Sequence, residues 1–272
     1  MVIIMLPVAI MSGVFAVFGD KQGVYISLDS RSSRESYGFF DDIAASDWCR
    51  LKSRAQHSPH GKGIAEAPNR WYQNNWEPAF TCLGEVRQGM GDGPKWICDP
   101  YRLKRGSCRV YSVGSNNNFD FEQAILDQIG PHCDVHTFDP GSSSSNKPAS
   151  VTFHQWGLDN HDHGNYKTLA SIARELGHDK DSVDIFKIDC EGCEWGTYEQ
   201  WFKTIHPKQV MIELHAGTTG NQPVPAERFM RYMRSKGYII FHKEPNTLGC
   251  GGSCIEYAFV RLQPSFWNTQ CH

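Results

Sequence analysis

Between residues 109 and 260 the chain alternates short apolar runs with segments of helical periodicity, and this alternation constrains the fold more than any other feature. The apolar runs are rich in β-branched or aromatic residues, as buried strands are. They occupy residues 109–113, 134–138, 150–156, 183–188, 209–214, 237–242 and 255–260. Strands that alternate with helices predict a mostly parallel sheet covered on both faces. We therefore expect an α/β fold with seven strands.

Three of the intervening segments show apolar positions at helical spacing. Their apolar faces are formed by Phe121, Ala124, Ile125 and Ile129, by Leu169, Ile172, Ala173 and Leu176, and by part of residues 226–236. Gly177 is placed to end the second helix, and Pro225 and Gly237 bound the third. The last two strands are joined by "KEPNTLGCGGSC", which has no helical pattern. We expect these two strands to form an antiparallel hairpin at the sheet edge.

The first 18 residues carry no charged side chain. A span of roughly 18 apolar residues is at the lower limit for crossing a bilayer, and Pro7, Ser12 and Gly13 weaken the pattern. We expect a signal or membrane-anchor segment over residues 1–19, with a buried N-terminal helix as the alternative. An irregular stem over 20–94 that packs on the later domain, a globular domain over 95–263 and a tail over 264–272 complete the predicted organisation.

The chain contains ten cysteines, a number more typical of oxidising compartments than of the cytosol. We therefore expect a protein of the secretory pathway, either held in the Golgi or ER membrane or secreted, although the sequence has no N-x-[ST] glycosylation site. The formal net charge is -3 and the pI is near 6.4. This charge balance gives no support to nucleic acid as a partner.

Open α/β sheets bind ligands beyond the carboxyl ends of their strands, so the residues that follow each strand are the candidates for a binding site. After the first strand comes "GSNNNFDFE", in which Gly114 permits close approach of the backbone. Its polar neighbours Ser115, Asn116 and Asn118 offer hydrogen bonds to a ligand at a helix start. The loop is not GxGxxG, so it does not predict a dinucleotide site.

The next two strands end in residues suited to a nucleoside. Asp139 follows the second strand, where one carboxylate can accept hydrogen bonds from both hydroxyls of a ribose. A turn or helix-cap aspartate is the alternative. Gln155 and Trp156 end the third strand, where an amide and a ring could read an adenine, although Trp156 could equally belong to the core.

The fourth and fifth strands end in acids and a histidine. The fourth, in "FKIDCEGCEW", ends at Asp189 and is followed by Glu191 and Glu194. The fifth ends in "IELH", where Glu213 and His215 are two residues apart and therefore lie on the same face. Glu191 and Glu194 have a structural alternative, because acids in the first turn of a helix are favoured by its dipole.

At these residues the chain resembles the class I S-adenosylmethionine-dependent methyltransferases of the FkbM-like type. The resemblance covers about residues 95–262 and is carried by "VYSVGSNNNFDFE", by K-I-D-x-E-G-x-E beginning at Lys187, and by E-x-H at Glu213. Upstream, "NNWEPAFTC" and "GDGPKWICDP" look like the methyltransferase-like protein 24 group. The resemblance implies a Rossmann-like methyltransferase domain over 95–263, with S-adenosylmethionine in the Gly114 loop and Asp139 on its ribose.

The implied function is methyl transfer to a hydroxyl or other acceptor on a glycan, a protein or a small molecule. Methyl transfer depends mainly on alignment of the acceptor, and a base helps where the acceptor is a hydroxyl. The candidates for that base are Asp189, Glu191, Glu213 and His215. The same side chains could instead hold a divalent metal that orients the acceptor, although we predict a site without metal.

Other functions remain open on the sequence. Cys190-x-x-Cys193 could be the redox pair of a thiol oxidoreductase, although adjacent acids would raise the pKa of a thiolate. Together with Cys250 and Cys254 the pair could instead bind zinc. A secretory glycosyltransferase would share the anchor and the acids at strand ends. Ser112 and the asparagine run depart from the family's glycine loop, which favours a further alternative, a non-catalytic binding module stapled by disulfides.

Overall fold

The computed structural model describes residues 31–57, 71–72, 75–180, 182–215, 223–247, 249–250, 254–268 and 271. The charge-free segment 1–19 lies outside these ranges. Within them, no helix combines the length and the apolar character that crossing a bilayer would need. The membrane-anchor segment therefore stays a prediction.

Eleven strands and seven α-helices have bounds within the described residues, and Trp71 and Tyr72 are helical as well. The strands are β1 (Glu85–Gln88), β2 (Lys95–Cys98), β3 (Arg109–Val113), β4 (Asp134–Phe138), β5 (Val151–His154), β6 (Gly157–Leu158), β7 (Tyr166–Lys167), β8 (Ile185–Ile188), β9 (Gln209–His215), β10 (Tyr238–Asn246) and β11 (Cys254–Arg261). The helices are α1 (Arg31–Glu35), α2 (Ala45–His57), α3 (Asp120–Gln128), α4 (Leu169–Leu176), α5 (Cys193–Thr204), α6 (Pro223–Ser235) and α7 (Ser265–Asn268).

Seven of the strands form one sheet in the order β10-β11-β9-β8-β3-β4-β5. Strands β3, β4, β5, β8 and β9 are mutually parallel. Strand β11 runs antiparallel to both of its neighbours, β9 and β10. The predicted seven-stranded, mostly parallel sheet with an antiparallel C-terminal hairpin is thereby confirmed. Four shorter strands pair outside it, β1 with β2 and β6 with β7.

The predicted bounds of two strands and the predicted end of one helix agree closely with the structure. Strands β3 and β4 have the predicted bounds, whereas β5 is shorter than predicted at both ends. Helix α4 ends at Gly177, whose φ of 69° lies in the left-handed region and whose N–H bonds back to the carbonyl of Ala173. A glycine adopts this conformation without the steric cost that a Cβ would add.

Apolar layers cover both faces of the sheet. On one face the sheet packs against helices α4, α5 and α6; representative residues are Phe138, Phe186, Ile212, Leu169, Trp201 and Phe229. On the other face it packs against α3 and the N-terminal part of the chain, through Val110, Val135, Met211, Ile125, Trp48 and Phe80. Residues of the N-terminal part therefore share one core with the sheet, and the division into a stem and a domain stays a prediction.

The side chain of Gln209 joins strand β2 to the sheet by a pair of hydrogen bonds like those between two backbones. The amide of Gln209 accepts from the Cys98 N–H and donates to the Cys98 carbonyl, each at 2.8 Å. Both groups are buried, so this pairing satisfies polar atoms that would otherwise be costly to bury. It fixes the N-terminal strand pair against β9.

The ten cysteines, all within the described residues, form five disulfides. The pairs are Cys49–Cys271, Cys82–Cys98, Cys108–Cys133, Cys190–Cys193 and Cys250–Cys254. The zinc hypothesis needs four ligands from the last two pairs, and the structure instead closes each pair as its own local disulfide. The bond between Cys49 and Cys271 spans 222 residues and links α2 to the chain beyond α7.

Candidate functional site

A cavity of about 680 Å³ lies at the carboxyl ends of the parallel strands. This volume is within the range of small-molecule sites, and the position is the one that open α/β sheets use for ligands. Eight of the residues predicted for the site are in its lining: Gly114, Ser115, Asn116, Asn118, Asp139, Asp189, Glu191 and Glu213. The structure thus brings together the ends of four different strands.

Gly114 lies where the loop after β3 crosses the end of β8. Its φ is +81°, and a Cβ built on it would lie 1.6 Å from the carbonyl oxygen of Asp189. The Lys187 ammonium donates a hydrogen bond to the Gly114 carbonyl. Because one backbone passes directly over the other, a residue without a side chain is required at this position.

The Asp139 carboxylate organises two loops of the cavity. One oxygen accepts from the Ser115 N–H at 2.8 Å, the Ser115 hydroxyl at 3.2 Å and the Asn116 N–H at 2.9 Å. The other oxygen accepts from the N–H groups of Gly141 and Ser142, both at 2.9 Å. Burial alone would raise the pKa of Asp139, but these hydrogen bonds lower it to about 2. The carboxylate is thus already engaged by the protein, and its contact with a ribose stays a prediction.

After β5, the residues that line the cavity lie further along the chain than the predicted Gln155 and Trp156. Gln155 is exposed and Trp156 is half-buried against the core, and neither is in the lining. The Lys167 ammonium lies 4.6 Å from the centre of the Trp156 ring. Gly157 and Leu158 line the cavity instead. The proposed reading of adenine by Gln155 and Trp156 has no contact here to support it.

The turn after β8 is held in an unusual backbone conformation. Glu191 has φ 55° and Gly192 has φ 112°, and the turn is bridged by the Cys190–Cys193 disulfide. Glu191 is directed outward, with 88% of its side chain exposed. The disulfide therefore braces the loop that carries two of the predicted site residues.

Glu194, the acid in the first turn of α5, positions His215. It is fully buried; one oxygen accepts from the Gly192 N–H at 2.9 Å. The other oxygen accepts from the His215 N–H at 3.0 Å and lies 3.1 Å from His215 Nδ1. Glu194 thus joins the start of α5 to the end of β9 and orients the His215 ring.

His215 is surrounded by carboxylates. Its Nε2 lies 3.5 Å from Glu191 Oε2 and 3.8 Å from Asp189 Oδ1. Burial would lower the pKa of His215, but its hydrogen bond to Glu194 and the charges of Glu194, Glu213 and Asp189 raise it to about 9. The ring is therefore a cation at neutral pH, held among groups of opposite charge.

The same surroundings favour the neutral, protonated form of Glu213. Burial, followed by the nearby charges of Glu256 and Asp189, raises the pKa of Glu213 to about 8. Its Oε1 accepts from the Asn246 amide at 2.6 Å. A carboxyl group with this pKa can exchange a proton with a ligand near neutral pH.

Lys95 also belongs to this group of charged side chains, although it does not follow any of the predicted strands. Its ammonium donates to Glu256 at 2.6 Å and to Asp189 at 3.1 Å, and its side chain is 1% exposed. Burial would lower the pKa of Lys95, but the charges of Glu256 and Asp189 raise it. Burial would raise the pKa of Asp189, but the charges of Lys95 and Lys187 and the hydrogen bond from Lys95 hold it well below its usual range. Lys95 therefore keeps Asp189 ionised at the floor of the cavity.

The cavity suits S-adenosylmethionine in size and in charge. Among the described lining residues six carry carboxyl groups and Lys187 is the one cation; the acids are Asp92, Asp120, Asp139, Asp189, Glu191 and Glu213. A sulfonium is positively charged, so this excess of carboxylates favours it. Gly114, Ser115, Asn116 and Asn118 of the loop after β3 also line this cavity.

Several solved structures have a similar chain course. One is an O-methyltransferase from Bacillus cereus in complex with SAH, at 11% identity and a TM-score of 0.40, covering 79% of this chain and 90% of that chain. Another is the fibrillarin pre-rRNA processing protein of Methanococcus jannaschii, at 10% identity and a TM-score of 0.40, covering 66% and 83%. A third is the N-methyltransferase NodS from Bradyrhizobium japonicum WM9, at 10% identity and a TM-score of 0.37, covering 60% and 93%.

Comparison with the curated proteins finds no match. A family model does match, under the description "Methyltransferase domain", and it covers residues 30–261. That range includes the N-terminal strand pair, the whole seven-stranded sheet and every residue of the cavity named above. This chain therefore belongs to that methyltransferase family and carries an S-adenosylmethionine-dependent methyltransferase fold and domain.

Proposed function

We propose that this protein is an active S-adenosylmethionine-dependent methyltransferase of the secretory pathway. We propose further that it methylates a hydroxyl or other acceptor on a glycan, a protein or a small molecule, and that it is of the FkbM-like type and related to the methyltransferase-like protein 24 group. The observation that carries the activity is the meeting, in one cavity, of the Gly114 loop with Glu213 and Asp189 at the ends of neighbouring strands.

The two sides of the cavity would have different tasks. The Gly114 loop and Asp139 would bind the cofactor, which supplies an activated methyl group when bound. On the other side, Glu213 would accept the proton of a hydroxyl acceptor, because its raised pKa makes it a stronger base than an ordinary carboxylate. His215, held as a cation by Glu194, would help to keep Asp189 ionised and to orient the acceptor.

The five disulfides support the secretory compartment. Thiols in the cytosol are kept reduced, whereas secreted and luminal proteins retain disulfides. All ten cysteines are paired in this structure, including pairs far apart in sequence such as Cys49 and Cys271. Protease protection of the full chain, translated in the presence of microsomes, tests this part of the proposal.

Cofactor binding is tested by calorimetry with S-adenosylhomocysteine. We expect binding to the wild-type protein and weaker binding to Asp139→Ala, by about 1–3 kcal/mol or roughly 5- to 150-fold. The physical reason is that Asp139 holds the loop N–H groups of Ser115 and Asn116 in place. Asp127→Ala, which removes an exposed acid of α3, is the matched control and should bind as the wild type does.

Two outcomes of this experiment would contradict the proposal. A folded wild-type protein that binds no S-adenosylhomocysteine would exclude the methyltransferase function. Binding without transfer of a labelled methyl group to any glycan, protein or small-molecule acceptor would favour the non-catalytic binding module instead.

The pH dependence of transfer tests the role of Glu213. Its carboxylate is the reactive form, and the raised pKa of about 8 means that this form is lost as the pH falls through 8. We expect kcat/KM with a hydroxyl acceptor to fall by nearly tenfold for each pH unit below that value. Glu213→Gln should remove this dependence and most of the activity, while it still binds S-adenosylhomocysteine. A wild-type profile that is flat between about pH 6 and 8 would rule out Glu213 as the base.

A further inference from the structure

A second cluster of reactive side chains lies at the opposite end of the sheet from the cavity. Asp134 and His136 are near the start of β4, and His178 follows the end of α4. Their potential ligand atoms, one from each residue, all lie within 4.8 Å of one another. Because the cavity is built from the carboxyl ends of the strands, this cluster is separate from it and has no part in the proposed transfer.

One nitrogen of the His136 ring faces the Asp134 carboxylate. This nitrogen, Nε2, is buried and lies 3.0 Å from Asp134 Oδ1. The His136 side chain is 9% exposed. Two ligands of one tetrahedral zinc stand roughly 3.3–3.6 Å apart at ordinary bond lengths. His136 Nε2 and Asp134 Oδ1 therefore have nearly the separation of two ligands of one metal ion.

The other nitrogen of His136 has a partner of its own. His136 Nδ1 lies 3.0 Å from His154 Nε2. If His136 Nδ1 donates its proton to His154, the lone pair of His136 Nε2 is left available for a metal.

The remaining two members are supported in a similar way. His178 Nδ1 lies 2.6 Å from the Tyr111 hydroxyl, and Asp134 Oδ2 accepts from Arg109 Nε at 2.8 Å. Metal ligands typically have such outer partners, which fix their orientation. His178 and Asp134 are both partly exposed, which gives an ion a path of entry.

We propose that Asp134, His136 and His178 form a zinc site, with water in the fourth position. Two imidazoles and one carboxylate are a common zinc ligand set, and the set does not use thiolates, which this chain holds as disulfides. The site would join the start of β4 to the chain that follows α4. Its role would be to stabilise the fold at the end of the sheet opposite the cavity.

The experiment measures zinc on the full chain after treatment with EDTA, reloading with Zn²⁺ and gel filtration. We expect one equivalent of zinc in the wild type and a higher melting temperature with zinc than without it. His178→Ala should weaken binding at least about 100-fold, because even the loss of an outer partner costs 10- to 100-fold. His154→Ala, which removes such a partner, should fall in that smaller range.

The matched control is His161→Ala with His163→Ala, because these two residues form an exposed group with Asp159 that could also attract metal ions. The double variant should keep the full equivalent of zinc. The proposal is overturned if the wild type retains less than half an equivalent, if His178→Ala retains zinc as the wild type does, or if the control variant loses it. Partly exposed His178 is chosen so that failure to fold does not obscure the result.

Discussion

Lys95→Met is expected to lower the free energy of unfolding by about 3–5 kcal/mol, the cost of leaving buried charges without a partner. Lys95 is fully buried and its ammonium bonds both Glu256 and Asp189. Methionine fills a similar volume but carries no charge, so two carboxylates would remain in a poorly solvated place. Urea unfolding at neutral pH measures the loss.

The pH dependence of this loss identifies its cause. In the variant the two carboxylates lack their counter-ion, so their pKa values rise and they take up protons at higher pH than in the wild type. The difference in stability should therefore shrink as the pH falls and grow as it rises. Lys104→Met, at an exposed lysine, is the control and should change stability by less than about 0.5 kcal/mol. A loss that is the same at every pH would show that packing, rather than charge, is responsible.

Gly114→Ala is expected to destabilise the protein by about 2–5 kcal/mol and to abolish binding of S-adenosylhomocysteine. The left-handed φ costs an alanine roughly 1–2 kcal/mol, and overpacking adds about 1–3 kcal/mol. The added Cβ cannot be accommodated by a rotamer change, because it would lie 1.6 Å from the backbone oxygen of Asp189. The loop and the end of β8 would have to move apart, which changes the cavity itself.

Gly141→Ala provides a control within the same cavity. Its nearest contact for an added Cβ is Asp139 Oδ1 at 3.8 Å, an ordinary van der Waals distance. We expect nearly wild-type stability and binding for this variant, measured by urea unfolding and calorimetry on both proteins. Wild-type binding by Gly114→Ala would mean that the crossing at Gly114 is not needed for the site.

The sheet could be predicted from the sequence because its signals are local. The apolar runs at 109–113 and 134–138 coincide with β3 and β4, and Gly177 ends α4 as its conformational freedom suggests. Helix α5 is less apparent from the sequence, since it contains Gly196 and its aromatic residues are not confined to a single face. The pair β1 and β2 was also not predicted, because "GDGPKW" has the composition of a turn and β2 begins within it at Lys95.

The candidate site could be predicted in part, for a related reason. Strand ends meet in a parallel sheet, so the convergence of Asp189 and Glu213 follows from the strand order. Lys95 reaches Asp189 from 94 positions away, through an N-terminal strand that no periodic pattern links to the sheet. The sequence allows Asp139 to be a turn aspartate, which agrees with its bonds from the Gly141 and Ser142 N–H groups. It does not indicate the bonds from Ser115 and Asn116, since these depend on the folded backbone.

The Cys49–Cys271 disulfide gives the chain an unusual resistance to fragmentation. The bond closes a covalent ring that contains the entire sheet and both of its helical layers. A single cut by a protease anywhere inside this ring opens it without releasing a piece. The two new ends remain parts of one molecule and the cut segment stays at high effective concentration, so the noncovalent core can hold it in place. A single cut in an exposed loop therefore disturbs the folded structure less than the same cut in a chain without this disulfide.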